Sequence, residues 1–348
     1  MRVDTNSCRS LAVKLSVNSL RRIGEAQFGY QTDFVKAVKS LNLRFMKTLS
    51  RRRFATGFGS LVLGGSVAPA IEVPQRINPK IRGLSLAAYS LRSKLRWMKG
   101  KDTGAKMEMM DVLDFAAEEG FDGVELTAYF FDPEVMTSDL NDIKRRAHVL
   151  GLDITGGAIG NNFSFPANDP FTAEQLAYTK TWIDHYAALG APVIRIFAGG
   201  KNPPGATIEQ VIKNVVTNLN VILPYAAEKG VILGIENHDS MTEIDNLLEL
   251  IGRIDSPWLG VTWDSANVAP TEDPYAELER IAPYAVNAQL KVMTKVNGEK
   301  VEADLPRLVQ ILREADYSGQ LVLEYEERED PFTGIPRFKE AVEAALKL

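Results

Sequence analysis

From residue 83 onward, short apolar runs alternate with amphipathic stretches of roughly 10 to 20 residues, the pattern of repeated strand–helix units feeding a parallel sheet. Eight apolar runs recur, and they predict strands at 84–88, 123–126, 153–158, 193–197, 232–236, 259–264, 288–292 and 321–325. Helices are expected between them, among others over 107–119, 172–189 and 207–229. Gly120, Gly151, Gly190 and Gly230 each stand where a helix should stop, the usual place for a left-handed cap. No G-x-G-x-x-G follows the first run, which argues against an open doubly wound sheet. Eight units close instead into an α/β single-domain (β/α)8 TIM barrel over 71–348, a length that suits the roughly 250 residues such a barrel needs.

The first seventy residues follow another pattern. Met46-Lys47-Thr48-Leu49-Ser50 leads into Arg51-Arg52-Arg53-Phe54, then the apolar run 55–67 and Ala68-Pro69-Ala70. This reads as a twin-arginine signal peptide over 46–70 with an A-x-A cleavage site, and the expectation is export to the periplasm. The run is too short to span a bilayer comfortably, so no stable membrane insertion is expected once the leader is removed. Residues 1–45 show no apolar periodicity and read as a non-native or disordered extension, with Met46 as the expected start. The only cysteine is Cys8, so the body can form neither a disulfide nor a thiolate-bound metal site. After residue 70 there are 28 Lys+Arg and 42 Asp+Glu, a net charge of −14 with His neutral, which argues against nucleic acid or anionic lipid as partner.

In a barrel, side chains at the C-terminal strand ends share one mouth. Glu236 in GIENH, Asp264 in VTWDSAN, Gln289 in NAQLK and Glu324 in LVLEYE come from consecutive predicted strands, each after an apolar run. Three converging carboxylates repel one another unless a cation lies among them, and oxygen-rich ligation favours Mn, Mg or Co over Zn. The blander reading pairs each acid with a barrel cation such as Arg195 or Lys291. Lys291 shares strand parity with Gln289 and should face the mouth, as counter-ion or substrate contact. Glu125 ends the second run, as sugar ligand or brace, and His238, two residues past Glu236, is a candidate substrate contact. His148 and His185 fall on predicted helices, Trp263 is expected to pack outward, and Glu326 reads as part of a solvated acidic loop from 326 to 330.

Together with GFDGVEL (120–126), LGAPVIRIFAGG (189–200) and DSAN, with Asn267 three residues after Asp264, these motifs resemble the xylose isomerase-like TIM-barrel superfamily of sugar isomerases and epimerases. The resemblance runs from 83 to 348 and implies a metal held at Glu236, Asp264, Gln289 and Glu324, with the two glutamates moving the proton. Gln289 departs from the pattern, because the ketose epimerases carry histidine there. The same resemblance marks Lys295 as the counterpart of a substrate-contacting arginine, and Asn267 and Arg195 as substrate-binding candidates.

The chemistry expected is proton abstraction beside the carbonyl of a sugar, through an enediolate, without an organic cofactor. Return of the proton gives epimerisation or isomerisation. Expulsion of a β-oxygen gives the alternative, a 3-keto-glycoside lyase or hydratase, toward which the leader and Gln289 both point. A non-catalytic sugar-binding barrel is the alternative from another class, and it would need no paired acid and base. The expected partner is a small sugar or keto-glycoside, with a homo-oligomer left open.

Overall fold

The computed structural model describes residues 71–348, so the leader expected at 46–70 and the extension at 1–45 lie outside the described residues. Eight parallel strands close into a barrel: β1 (Leu84–Ala87), β2 (Gly123–Thr127), β3 (Asp153–Ala158), β4 (Val193–Ile196), β5 (Ile232–Glu236), β6 (Leu259–Asp264), β7 (Ala285–Leu290) and β8 (Leu321–Leu323). Closure comes from β1 pairing with β8, Leu84 beside Leu321 and Leu86 beside Leu323. Outside run the helices α1 (Met109–Glu118), α2 (Thr137–Leu150), α3 (Pro170–Leu189), α4 (Ile208–Lys229), α5 (Ile244–Ile251), α6 (Pro274–Ile281), α7 (Leu305–Glu314) and α8 (Pro331–Leu346). Each strand is covered on one face by helices and on the other by the barrel interior, which is why the strands read as continuous runs rather than alternations.

The helices begin and end where local chemistry says they should. Thr207 caps α4: its Oγ1 accepts from the Gln210 N–H at 3.3 Å, and Gln210 Oε1 accepts from the Thr207 N–H at 2.9 Å. Asp169 caps α3 through the Phe171 N–H, and Pro170 occupies the first turn, where its missing N–H costs nothing. Gly190 ends α3 at φ 82°, a conformation that strains any residue with a Cβ. The buried stripe of α4, Val211, Val215, Leu219 and Ile222, follows the helical period and packs toward the barrel.

Two expectations needed correction. β7 runs from Ala285 to Leu290 rather than over 288–292, because Asn287 breaks the apolar run yet points into a buried interior. β8 stops at Leu323, although the Glu324 N–H still donates to the Leu290 carbonyl at 2.9 Å and so remains tied to the barrel. Two small hairpins were passed over, Trp97–Met98 with Lys101–Asp102 and Met293–Val296 with Glu299–Glu302. The second turns on Asn297 (φ 52°) and Gly298 (φ 84°), an Asn-Gly pair that is the strongest short-range hairpin signal a sequence offers. Among the described residues no helix is long and apolar enough to cross a membrane.

At Gly157 in β3 the chain needs a residue without a side chain, because a methyl group there would collide with the ring of the fully buried Tyr186. Tyr186 is anchored by its hydroxyl, which donates to the Leu126 carbonyl, so the ring cannot simply move aside. Gly157→Ala is expected to lower stability by about 1–3 kcal/mol. Urea denaturation followed by fluorescence measures it, and an unchanged midpoint would show that the α3–barrel contact is softer than described.

Candidate functional site

Glu236 closes β5, Asp264 closes β6, Gln289 lies one residue before the end of β7 and Glu324 directly follows β8. Consecutive parallel strands therefore deliver all four to the C-terminal mouth, and all four are buried. A register shift between Val261 and Thr262, where β6 meets β7, lies three residues before Asp264, and local irregularities of this kind re-aim the side chains beyond them.

Asp264 is held from three sides. Its N–H donates to Asn237 Oδ1 at 2.8 Å, and its Oδ1 accepts from the N–H groups of Ala266 (2.8 Å) and Asn267 (3.2 Å). Asn237 Nδ2 also donates to the carbonyls of Asp264 and Asn267, so one buried amide ties the end of β5 to the turn after β6. Asp264 Oδ2 has no hydrogen-bond partner and faces only the Lys291 ammonium, 3.1 Å away. Glu236 Oε1 accepts from Asn267 Nδ2 at 2.8 Å, and its Oε2 lies 3.0 Å from Arg195 Nε. The Arg195 guanidinium is fixed by the Ile159 carbonyl at 2.8 Å and by the Phe197 ring, whose centroid lies 4.0 Å away.

Lys291 is the centre of charge. Its Nζ lies 3.1 Å from Asp264, 3.7 Å from Glu324 and 3.2 Å from Glu326. The counter-ion reading of this lysine is the one the geometry supports. It also corrects the reading of Glu326, which joins the cluster instead of standing in a solvated loop. Burial opposes the charge on Lys291, but Asp264, Glu324, Glu326 and Glu236 hold it firmly protonated. Burial pushes the Glu324 carboxyl up to about 8 despite Lys291 beside it. Burial also raises Glu236, offset by Arg195. Four buried carboxylates, counting Glu125, thus face two buried or nearly buried cations, Arg195 and Lys291. Among the described residues no three His, Cys, Asp and Glu side chains draw together closely enough to hold a metal by themselves.

Glu125 sits inside the barrel below the mouth, where its oxygens accept from Asn287 Nδ2 (2.6 Å) and Gln289 Nε2 (2.7 Å). Burial raises it to about 7, with Arg195 and the two amides pulling the other way. His238 lies at the rim, its Nδ1 2.9 Å from Asp239 Oδ2 and its ring packed 4.6 Å from that of Phe197. Lys295 is exposed on the hairpin strand Met293–Val296 and is not among the buried groups. Trp263 packs outward as expected, its indole N–H donating to the Leu278 carbonyl on α6 at 3.0 Å. His185 packs against Trp182 on α3, and His148 is exposed on α2.

Asn237 and Asn287 escaped the sequence reading because amides are common and carry no spacing signal. Tyr129, which lies close enough to Arg195 to act on its charge, and Tyr89, its aromatic neighbour at 6.5 Å, were missed as well. Both follow predicted strand ends, the position that could have flagged them. A cavity of about 610 Å³ at the opposite end of the barrel is lined by Arg82, Lys144, His148 and Asp153, and none of the four mouth residues contributes to its wall.

The sequence model of a family described as xylose isomerase-like TIM barrel matches residues 113–347. A 3-dehydroshikimate dehydratase of Bacillus anthracis is 26% identical over 193 residues, which are 52% of this chain and 65% of that protein. The chain therefore matches a little under two thirds of that relative's length. Among solved structures, a D-allulose 3-epimerase from Methylomonas sp. superposes with a TM-score of 0.60 at 16% identity, over 77% of this chain and 99% of that one. The 3-keto-D-glucoside 4-epimerase of E. coli superposes with a TM-score of 0.57 at 16% identity, over 73% of this chain and 100% of the other. At these identities the solved structures speak for the fold.

The raised Glu324 carboxyl has a consequence for stability. Between its ordinary value of 4.5 and about 8 the folded state holds a proton that the unfolded chain has released. This contribution to stability is complete below pH 4.5 and is lost as pH rises through about 8. In EDTA-containing buffer the stability is expected to decline over this interval, and Glu324→Gln should flatten the decline. Urea midpoints measured from pH 5 to 9 test it. An equal slope in both proteins would place the titration elsewhere.

Proposed function

Because this chain belongs to the xylose isomerase-like TIM-barrel family, we propose that it is an enzyme that moves a proton at the carbon beside the carbonyl of a sugar or keto-glycoside. Glu236 and Glu324 are its acid/base pair, and the epimerase or isomerase outcome is the primary reading. The observation that carries it is two buried glutamates at the ends of β5 and β8, both raised by burial and each set beside a cation, Arg195 for Glu236 and Lys291 for Glu324. A base of raised pKa takes a carbon-bound proton more readily, and a buried acid gives one back without losing it to solvent.

A hard divalent cation fits this site. Gln289 Oε1 is a buried oxygen without a hydrogen-bond partner, Asp264 Oδ2 is met only by the Lys291 ammonium, and the buried carboxyl groups outnumber the buried cations by two. Glu236, Asp264, Gln289 and Glu324 would hold Mn, Mg or Co, which when bound lowers the energy of the enediolate's negative oxygens. The protein's own groups do the rest. Arg195 and Asn267 fix the two oxygens of Glu236 so that it has one orientation. Lys291, shared between Asp264 and Glu324, keeps the carboxylates from repelling one another when Glu324 is ionised. Asn237 holds the turn that carries Asp264 and Asn267. Tyr89 and Tyr129 supply an aromatic wall on which the apolar face of a sugar ring can rest.

Elimination is the second reading, favoured by the match to a protein named as a dehydratase. Abstraction of the same proton with a leaving oxygen on the next carbon forms a C=C bond and breaks the C–O bond, with the second glutamate protonating the departing oxygen. The Arg51-Arg52-Arg53 leader supports a periplasmic setting, in which a keto-glycoside suits better than a phosphorylated sugar.

Metal-loaded protein incubated in deuterated water with free ketoses and with 3-keto-glycosides separates the outcomes. Deuterium uptake without release of the aglycone supports epimerisation, and release from keto-glycosides alone supports the lyase. Glu236→Gln and Glu324→Gln should each reduce exchange by about 100-fold or more. Retention of exchange in both variants would mean the acids are wrongly assigned.

A further inference from the structure

Glu125 is buried inside the barrel, and the acid/base chemistry does not use it. It is 1% exposed and reaches across the interior from β2 to β7. Both of its oxygens are occupied by amides of one strand face, Oε2 by Asn287 Nδ2 and Oε1 by Gln289 Nε2. A brace between two strands needs no carboxylate, and an apolar pair would serve without the desolvation that burying one entails. What a carboxylate does that an apolar pair cannot is choose which end of an amide faces it. Ionised, with both oxygens accepting, it holds each amide with its NH2 turned toward Glu125. For Gln289 the carbonyl oxygen is then left on the side away from Glu125, where it is buried and has no hydrogen-bond partner.

We infer that Glu125 is a positioning residue that locks the Gln289 carboxamide with its oxygen free for a divalent cation held jointly with Glu236, Asp264 and Glu324. This rests on the metal-assisted reading proposed above. A glutamine turned the other way would offer NH2 to the cation and to the neighbouring carboxylates alike, blocking the one and binding the others. Glu125 thus supplies, for an amide, the orientation that a hydrogen-bonded carboxylate supplies for a ligating imidazole. The ligand it creates is a neutral oxygen, which suits Mg2+, Mn2+ or Co2+ and gives little to a soft ion.

The test is metal binding by the full chain, read apart from activity. Titration calorimetry with Mn2+ gives the affinity, and the visible spectrum of the Co2+ form reports the ligand field. Glu125→Gln keeps the volume and removes the lock, so the Mn2+ dissociation constant is expected to rise about 10- to 100-fold, with a changed Co2+ spectrum. The exchanged pair, Glu125→Gln with Gln289→Glu, restores one carboxylate facing one amide and puts an oxygen on the cation side in any orientation. It is expected to recover most of the native affinity. If Glu125→Gln binds Mn2+ within threefold of the native protein and gives the same Co2+ spectrum, Glu125 is only a brace and the inference is overturned. If Glu125→Gln does not fold, Glu125→Asp decides, since it keeps an accepting carboxylate but shortens its reach to Gln289: a Mn2+ dissociation constant raised about 10-fold or more supports the lock, and binding within threefold of the native protein overturns it. A native protein that binds none of the three ions and still exchanges substrate protons overturns the metal-assisted reading itself, a result distinct from failure of the lock.

Discussion

The interaction on which the mouth of this barrel depends is the sharing of one lysine ammonium among carboxylates from three places in the chain. Lys291 lies within 3.1–3.7 Å of oxygens of Asp264, Glu324 and Glu326. Separately, Asp264 and Glu324 would each be a buried charge of the kind proteins avoid. Around a common cation they become a set, and the strands that carry them can end at the same level. Arg195 does the same for Glu236 from the neighbouring strand. The two cations divide the work, one holding the β5 acid and the other the acids of β6 and β8.

The hydrogen-bond scaffold follows from that charge arrangement. Asn237 and Asn267 do not carry charge, yet they take up the oxygens and N–H groups that the cations leave, so Asp264 and Glu236 each have few remaining degrees of freedom. Rigid placement of this kind makes acid/base work efficient, because the group is already where the proton will be. The closed sheet supplies the frame: parallel strands in register bring residues far apart in sequence to one level.

Much of this was legible in the sequence, for identifiable reasons. The eight strands were readable because a parallel sheet buried on both faces leaves unbroken apolar runs, and Glu236, Asp264, Gln289 and Glu324 stood out as the polar residues that end four of them. β7 was misplaced because Asn287 is polar and inward, a combination whose cause, Glu125, lies 162 residues away. Glu326 was misjudged for the same reason: strand parity put it beside Glu324, but only the reach of Lys291 draws it in. Lys295 illustrates the converse, since its place in a resembling motif gave no hint that the Asn297-Gly298 turn would carry it outward on a hairpin. Local pattern finds elements and their ends, whereas pairings across the barrel depend on distances that no window of sequence contains.

The ammonium of Lys291 also bears on the order in which the molecule is assembled. A site built only of acids has to wait for an ion before its walls can close, and folding then becomes hostage to supply. Here the chain brings a positive charge of its own to the place where the acids meet, so the barrel can close around it with an empty larder. On the metal-assisted reading proposed above, completion of the fold and acquisition of an ion would be separate events, and the second could be late, reversible or selective without endangering the first.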